Sequence, residues 1–161
     1  MIPIVTQRLT LRSFTPDDWR DVHELALDWS KAPGPAFDKW PTDEAGTKGL
    51  AGYFAERERF LAVSLNESAT VIGLVAINDI DKQGRQDLGH VIHSQYQDDE
   101  IDREALEAAV AFVFNTVEID VIVTHNDPNH AQLAPLRSLG FQDSGASDGE
   151  LVLSREARDA R

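Results

Sequence analysis

Apolar and polar residues alternate near the start of the chain, where Leu9 and Leu11 are separated by Thr10 and Arg12. Period two marks a half-buried strand, predicted over 5–14. Thr15-Pro16-Asp17-Asp18 reads as a helix start, with Thr15 as N-cap, proline at the first helical position and acids in the first turn. Trp19, Val22, His23, Leu25, Ala26 and Trp29 then recur at helical spacing. The Pro/Gly segment 31–35 is a loop. A second helix opens at Pro41-Thr42-Asp43-Glu44 and is predicted to run to about Arg57, weakened by Gly46, Gly49 and Gly52. Residues 60–65, 71–80 and 87–93 read as strands joined by short polar turns at 66–68 and 81–85, which implies an antiparallel meander.

The second half follows a different rhythm. Leu106, Ala109, Val110, Val113 and Val117 form one apolar stripe, predicting the strongest helix over 102–117. A short apolar strand follows at 121–124, and strand, helix, strand over this length requires a right-handed parallel crossover. A shorter helix is predicted over 129–139, ended by Gly140 as a left-handed cap and kinked or delayed by Pro135. Phe141 begins a last strand or loop, 150–154 pairs back as a hairpin, and 154–161 is expected to fray. The fold class is α/β (α+β), one domain over 1–161, with a mixed sheet flanked by helices.

Composition narrows the function. The 161 residues carry 28 acids against 15 Lys and Arg, a net charge of -13. That excludes nucleic acid and anionic membrane surfaces as partners, since both need a basic face. A cationic partner stays open. With no cysteine, disulfides and thiol nucleophiles are excluded. The N-terminus lacks a charged segment followed by an apolar one, so a soluble, cytoplasmic protein is expected. No Gly-rich nucleotide or esterase motif is present. His125, Asp127 and His130 cluster, but their spacing fits no common zinc pattern, and no metal is expected.

Specific stretches carry a family resemblance. They are Thr6-Gln-Arg-Leu-Thr-Leu-Arg12 with Thr15-Pro16-Asp17-Asp18, Val71-Ile-Gly-Leu-Val-Ala-Ile77, Asp87-Leu-Gly-His-Val-Ile-His93, Glu104-Ala105-Leu106, and Asn129 with Leu139-Gly140-Phe141. In order and spacing they resemble the GCN5-related N-acetyltransferases (GNAT), in the branch that acetylates ribosomal-protein N-termini. The resemblance implies an acyl-CoA N-acyltransferase-like sheet with a central, splayed parallel strand pair. It implies acetyl-CoA in the gap, its pantetheine along Val91, Ile92 and His93. Its pyrophosphate would lie on Gln97, Asp98, Asp99, Glu100, Ile101 and Asp102 at a helix start, with Asn129 nearby. A primary amine, either a protein N-terminus or a small amine, would attack the thioester directly, which requires a base. Asp87 matches the position of an acid that works through water. His125, at the end of the 121–124 strand, is a further candidate base, because imidazole titrates near neutral pH. Trp29, Phe37 and Trp40 border the implied acceptor pocket and, with Asp28, Asp38, Asp43 and Glu44, suit a cationic amine. They equally suit a helix-hairpin core with an acidic rim. His90 stands where an aromatic is usual and reads as packing.

The sequence departs from the family at the phosphate loop. Glu100 and Asp102 replace its glycines, and Asp98 and Asp99 add two more acids. Side chains take the space that glycine leaves for phosphate. Each like-charge contact near 4 Å costs about 1–4 kcal/mol, against about 8 kcal/mol for an entire micromolar affinity. Asp102 is predicted to cap the helix itself. Gln132 stands where many relatives have Ser, and no Tyr follows Tyr96. Two readings result: an acetyl-CoA-dependent N-acetyltransferase, or a degenerate GNAT fold that serves as a binding or homodimerisation module without acetyl-CoA.

Overall fold

The computed structural model describes residues 2–31, 40–97, 99–127 and 133–161. Residues 5–14 form a hairpin rather than one strand: β1 (Ile4–Val5) and β2 (Leu9–Ser13) pair antiparallel, Ile4 opposite Leu11 and Val5 opposite Thr10. Thr6 makes the break. Its N–H donates to the Leu9 carbonyl at 2.8 Å, and the Leu9 N–H donates back to Thr6 Oγ1 at 3.2 Å. These local bonds outcompete strand continuation.

A 3-10 turn over Pro16–Asp18 leads into α1 (Trp19–Ser30). The Thr15 N–H donates to the Asp18 carboxylate at 2.8 Å, and Arg12 grips the same carboxylate through Nη1 and Nη2, each at 2.9 Å. Helix α2 (Glu44–Ala55) begins three residues after Pro41, because Asp43 is its N-cap and accepts the Gly46 N–H at 3.0 Å. Strands β3 (Phe60–Leu65) and β4 (Val71–Ile80) lie where the hydrophobic pattern puts them. Strand β5 (Gln86–Ile92) is shifted one residue toward the N-terminus.

Helix α3 (Asp99–Thr116) starts three residues before its expected start. Acidic residues stabilise the positive end of a helix, so the acids extend it. Asp102 therefore lies inside the first turn, 4% exposed, and is not the N-cap. Strand β6 (Val121–His125) follows, then α4, described over Leu133–Ser138. Pro135 is buried within α4. Gly140, at φ +101°, ends the helix, and the Phe141 N–H closes onto the Leu136 carbonyl at 3.2 Å.

Strands β7 (Gln142–Asp143) and β8 (Glu150–Ser154) pair antiparallel, Gln142 opposite Val152. The C-terminus does not fray. Ser154 caps α5 (Arg155–Asp159) by accepting the Ala157 N–H at 3.0 Å. Arg155 donates to the carbonyls of Phe114 at 2.9 Å and Ile119 at 2.8 Å, and Arg161 donates to the Ser138 carbonyl at 3.0 Å.

The strands follow the order β1-β2-β3-β4-β5-β6-β8-β7, mostly antiparallel, with β5 and β6 parallel. Two compact units divide the chain, 1–74 with 91–96 and 75–90 with 97–161, so β4 and β5 contribute to both. The first unit buries Leu9, Leu11, Val22, Leu25, Leu61 and Ile72, with Phe54 between Phe14 and Phe60 at ring distances of 5.0 and 4.9 Å. The second buries Leu88, Leu106, Val113, Ile122, Leu136 and Leu153.

Candidate active site

In the second unit, β5 opens on two polar residues that face opposite ways. Gln86 is buried, and its amide donates to the main-chain carbonyls of Asn78 and Asp87. Asp87 points to the other face. The parallel ladder pairs Gln86 with Ile122 and Asp87 with Val123, and among the described residues of this unit it goes no further along β5. On its other edge β6 is paired throughout with β8, from Val121 opposite Ser154 to His125 opposite Glu150.

This register puts Asp87, Val123, His125 and Glu150 on one face of the sheet. The two bases expected from sequence, Asp87 and His125, are thus brought together by β5 and β6. Burial pushes the Asp87 carboxyl above the ordinary aspartate range, although the His125 charge and a hydrogen bond to the Asn78 side chain oppose the rise.

Glu150 was not singled out by the sequence. It is 7% exposed, accepts Arg85 Nη1 at 3.2 Å, and lies 3.6 Å from His125 Nδ1. Arg85 also donates from Nε to Asp81 at 2.8 Å across the β4–β5 hairpin, where Gly84 takes φ +77°. The Ser144 hydroxyl, and after it Arg85, hold the Glu150 carboxyl below its ordinary value. The available signal was an acid at the start of the apolar run 150–153, which demands partners once it is buried.

In the first unit, the end of β5 is fastened by Asp28. Its carboxylate accepts the Ser94 N–H at 2.9 Å and the Ser94 hydroxyl, and lies 3.8 Å from His93 Nε2. Asp28 is therefore engaged with the chain after β5, not held as a spare acid at the rim. His93 Nδ1 accepts the Gln95 N–H at 3.1 Å, which leaves the ring proton on Nε2 when the imidazole is neutral. The His93 amide donates to the Ile72 carbonyl at 2.8 Å. Ile92 is buried and Val91 half-buried. Both crowd Gly73, where a Cβ would come within 2.5 Å of the Val91 carbonyl oxygen and Ile92 Cδ1.

Trp29 and Trp40 are both half-buried, with ring centroids 6.3 Å apart, and Trp40 meets Phe54 edge-on at 5.7 Å. Asp43 is spent as the α2 cap, and Glu44 pairs with Lys48 at 2.8 Å. Phe37 and Asp38 lie outside the described residues.

At the start of α3, Gln97 and Ile101 are half-buried, Glu100 is exposed and Asp102 is buried; Asp99 is the first helical residue. Asp98, Asn129, His130 and Gln132 lie outside the described residues. Ser138 gives its hydroxyl to the Pro135 carbonyl at 2.6 Å. A pyrophosphate does not fit this helix start. Glu100 and Asp102 carry carboxylates in the first turn of α3, the second of them buried, acids also stand at 98 and 99 in the sequence, and 97–102 contains no glycine. Among the described residues, no helix is long and apolar enough to cross a membrane, and no three His, Asp or Glu are grouped to hold a metal.

This fold is shared with solved acetyltransferases. An acetyltransferase of the GNAT family from Bacillus anthracis superposes with a TM-score of 0.78 at 19% identity, covering 96% of this chain and 99% of that one. Ribosomal-protein-S5-alanine acetyltransferase from Vibrio fischeri gives 0.75 at 17% identity, covering 96% and 95%. Mycobacterium smegmatis RimJ in complex with CoA-disulfide gives 0.70 at 17% identity, covering 92% and 82%. None of the curated proteins matches the chain by sequence. The model of the acetyltransferase (GNAT) domain matches residues 8–142, and the chain belongs to that family.

Proposed function

We propose that the protein is an N-acetyltransferase, one domain over 1–161, that moves an acetyl group from a thioester of the acetyl-CoA type to a primary amine. The observation that carries this reading is that Asp87 and His125 share one face of the sheet beside the last β5–β6 pair. An extended amide chain can add to a strand through main-chain hydrogen bonds. A pantetheine arm matches residues 88–90 and, further along β5, Val91, Ile92 and His93.

The bound thioester supplies an activated carbonyl carbon. The acceptor arrives as an ammonium and must lose a proton before its nitrogen can attack. Asp87 takes that proton, directly or through one water, and its raised pKa makes it the stronger base. The C–N bond then forms as the C–S bond breaks. The second proton shed by nitrogen passes to His125 and on to the thiolate, so the products are an amide and a thiol. Glu150 holds His125 from behind.

The acceptor in this reading is a cationic amine, either a protein N-terminus or a small amine. The net charge of -13 favours its approach, and the Trp29 and Trp40 rings offer faces for a cation. The test presents acetyl donors with N-terminal peptides and polyamines and reads acetylated product by mass spectrometry. Product that depends on Asp87 and His125 supports the reading. No product with any amine, or full rates in Asp87→Asn and His125→Gln, overturns it.

The acidic start of α3 favours a second reading, a GNAT-fold binding or homodimerisation module that does not use acetyl-CoA. Under it, neither acetyl-CoA nor acetyl-pantetheine raises the melting temperature.

A further inference from the structure

We propose that Glu150 is a positioning residue for His125, keeping the ring proton on Nδ1 so that Nε2 is the atom that handles the acceptor's second proton. This rests on the acyltransferase reading and adds a residue to it. Antiparallel pairing sets His125 of β6 directly opposite Glu150 of β8. Beyond that pair the two segments stay tied, because the Asn126 N–H and the Asn126 side-chain amide both donate to the Gly149 carbonyl at 3.0 Å. The backbone of His125 is therefore fixed, and rotation of its 52% exposed side chain is the freedom that remains. Glu150 Oε2 stands 3.6 Å from Nδ1. A carboxylate can only accept, so the imidazole nitrogen beside it is favoured as the one that carries hydrogen. The tautomer that turns a lone pair on Nδ1 toward the carboxylate is disfavoured by charge.

Glu150 can aim the ring because it is itself held. Its Oε1 accepts Arg85 Nη1 at 3.2 Å, so each carboxylate oxygen faces a different partner. Arg85 donates from Nε to Asp81 Oδ2 at 2.8 Å, and Asp81 Oδ1 accepts the N–H groups of Gln83 and Arg85, each at 2.9 Å. The β4–β5 turn thus anchors Arg85, Arg85 anchors Glu150, and Glu150 orients His125. Ser144 and Arg85 hold the Glu150 carboxyl below its ordinary value, which keeps it ionised at neutral pH. In the reaction, Nε2 takes the second proton from the amine nitrogen and gives the same proton to the thiolate sulfur. The Nδ1 proton stays in place throughout, and the imidazolium formed between the two transfers is paired with the Glu150 charge.

The experiment compares the isotope-labelled full chain with Glu150→Gln. Glutamine has nearly the same shape, and Arg85 dictates how it sits: its oxygen must face Nη1, which turns its amide N–H groups toward Nδ1. An exchange of tautomers is therefore expected. In alkaline buffer the imidazole nitrogen NMR shifts of His125, assigned by their loss in His125→Gln, should show Nδ1–H in wild type and Nε2–H in Glu150→Gln. With an acetyl donor and a reactive amine, Glu150→Gln should lose about 10–100-fold in kcat, the scale of losing a group that orients a functional histidine, with KM little changed. A wild-type Nε2–H tautomer, which is read without any variant having to fold, overturns the proposal while the acyltransferase reading stands on Asp87. Full kcat in Glu150→Gln also overturns it, as does a fall in kcat with Nδ1–H retained, which is a structural effect. If wild type acetylates no amine, the acyltransferase reading itself fails and the proposal with it, whichever tautomer is seen.

Discussion

Asp87 and Glu150 lie on the same face of the sheet on either side of His125, and their carboxyls are displaced in opposite directions. Asp87 is raised, chiefly by burial. Glu150 is lowered by Ser144 and Arg85. One strand pair thus presents two acids with different chemistry, a pattern that assigns different roles to neighbouring carboxyls.

For Asp87 the linkage predicts a trade of stability for function. Its folded-state pKa lies above the unfolded value of about 3.9, so ionisation favours the unfolded chain. The cost grows as pH rises from the unfolded value through the folded one and then stays constant. Asp87→Asn should therefore melt at a higher temperature than wild type at pH 7. The same variant should lose about 10²–10⁴-fold in kcat, the usual share of a general base. A lower melting temperature with unchanged kcat would make Asp87 a structural residue.

Glu150 predicts the reverse. Its folded-state pKa lies below the unfolded value of about 4.3, so its contribution is fully present above that value and is lost as pH falls through the folded one. Glu150→Gln should lower the melting temperature at pH 7, and the gap to wild type should close in acid. Thermal melts from pH 7 down to pH 3 decide this, and a gap that persists unchanged in acid assigns the effect to packing instead of charge.

Gly73 is predicted to be intolerant of any side chain. Gly73→Ala would drive a methyl into the Val91 carbonyl and Ile92 Cδ1, and overpacking of this kind costs about 1–3 kcal/mol. Urea denaturation should show the midpoint falling with an unchanged slope. A variant as stable as wild type would mean that β4 and β5 separate there without cost.

Arg155 closes the end of α3. Arg155→Met keeps the stem over Phe114 but removes the donors to the Phe114, Val117 and Ile119 carbonyls, a loss of about 2 kcal/mol. Hydrogen exchange should quicken in residues 113–119 before the rest of α3. Equal loss of protection along all of α3 would point to global destabilisation.

Local pattern made some elements legible. Phe60–Leu65 and Val71–Ile80 are mostly apolar stretches bounded by polar turns, and they form β3 and β4 at those bounds. Gly140 ends its helix as its conformational freedom predicts. The misreadings have local causes of another kind. Thr6 bonds its own neighbours and folds one strand into two. The acids at 99, 100 and 102 read as a cap at Asp102, but together they favour a longer helix. Arg155 and Arg161 looked like a charged tail, because the carbonyls they bind lie far away in sequence.

By itself the sequence determined the alternation of strands and helices, the absence of thiol chemistry, the acidic phosphate loop and two candidate bases. These depend on residue type and short spacing, which one chain carries in full. Only tertiary structure decided that Asp87, His125 and Glu150 share a face, because that follows from how β5, β6 and β8 are registered. It also decided that Asp28 holds Ser94, 66 positions away, and that Asp102 is buried inside a helix turn. Registers and long-range pairings arise from packing the whole chain, and no short window of sequence contains both partners.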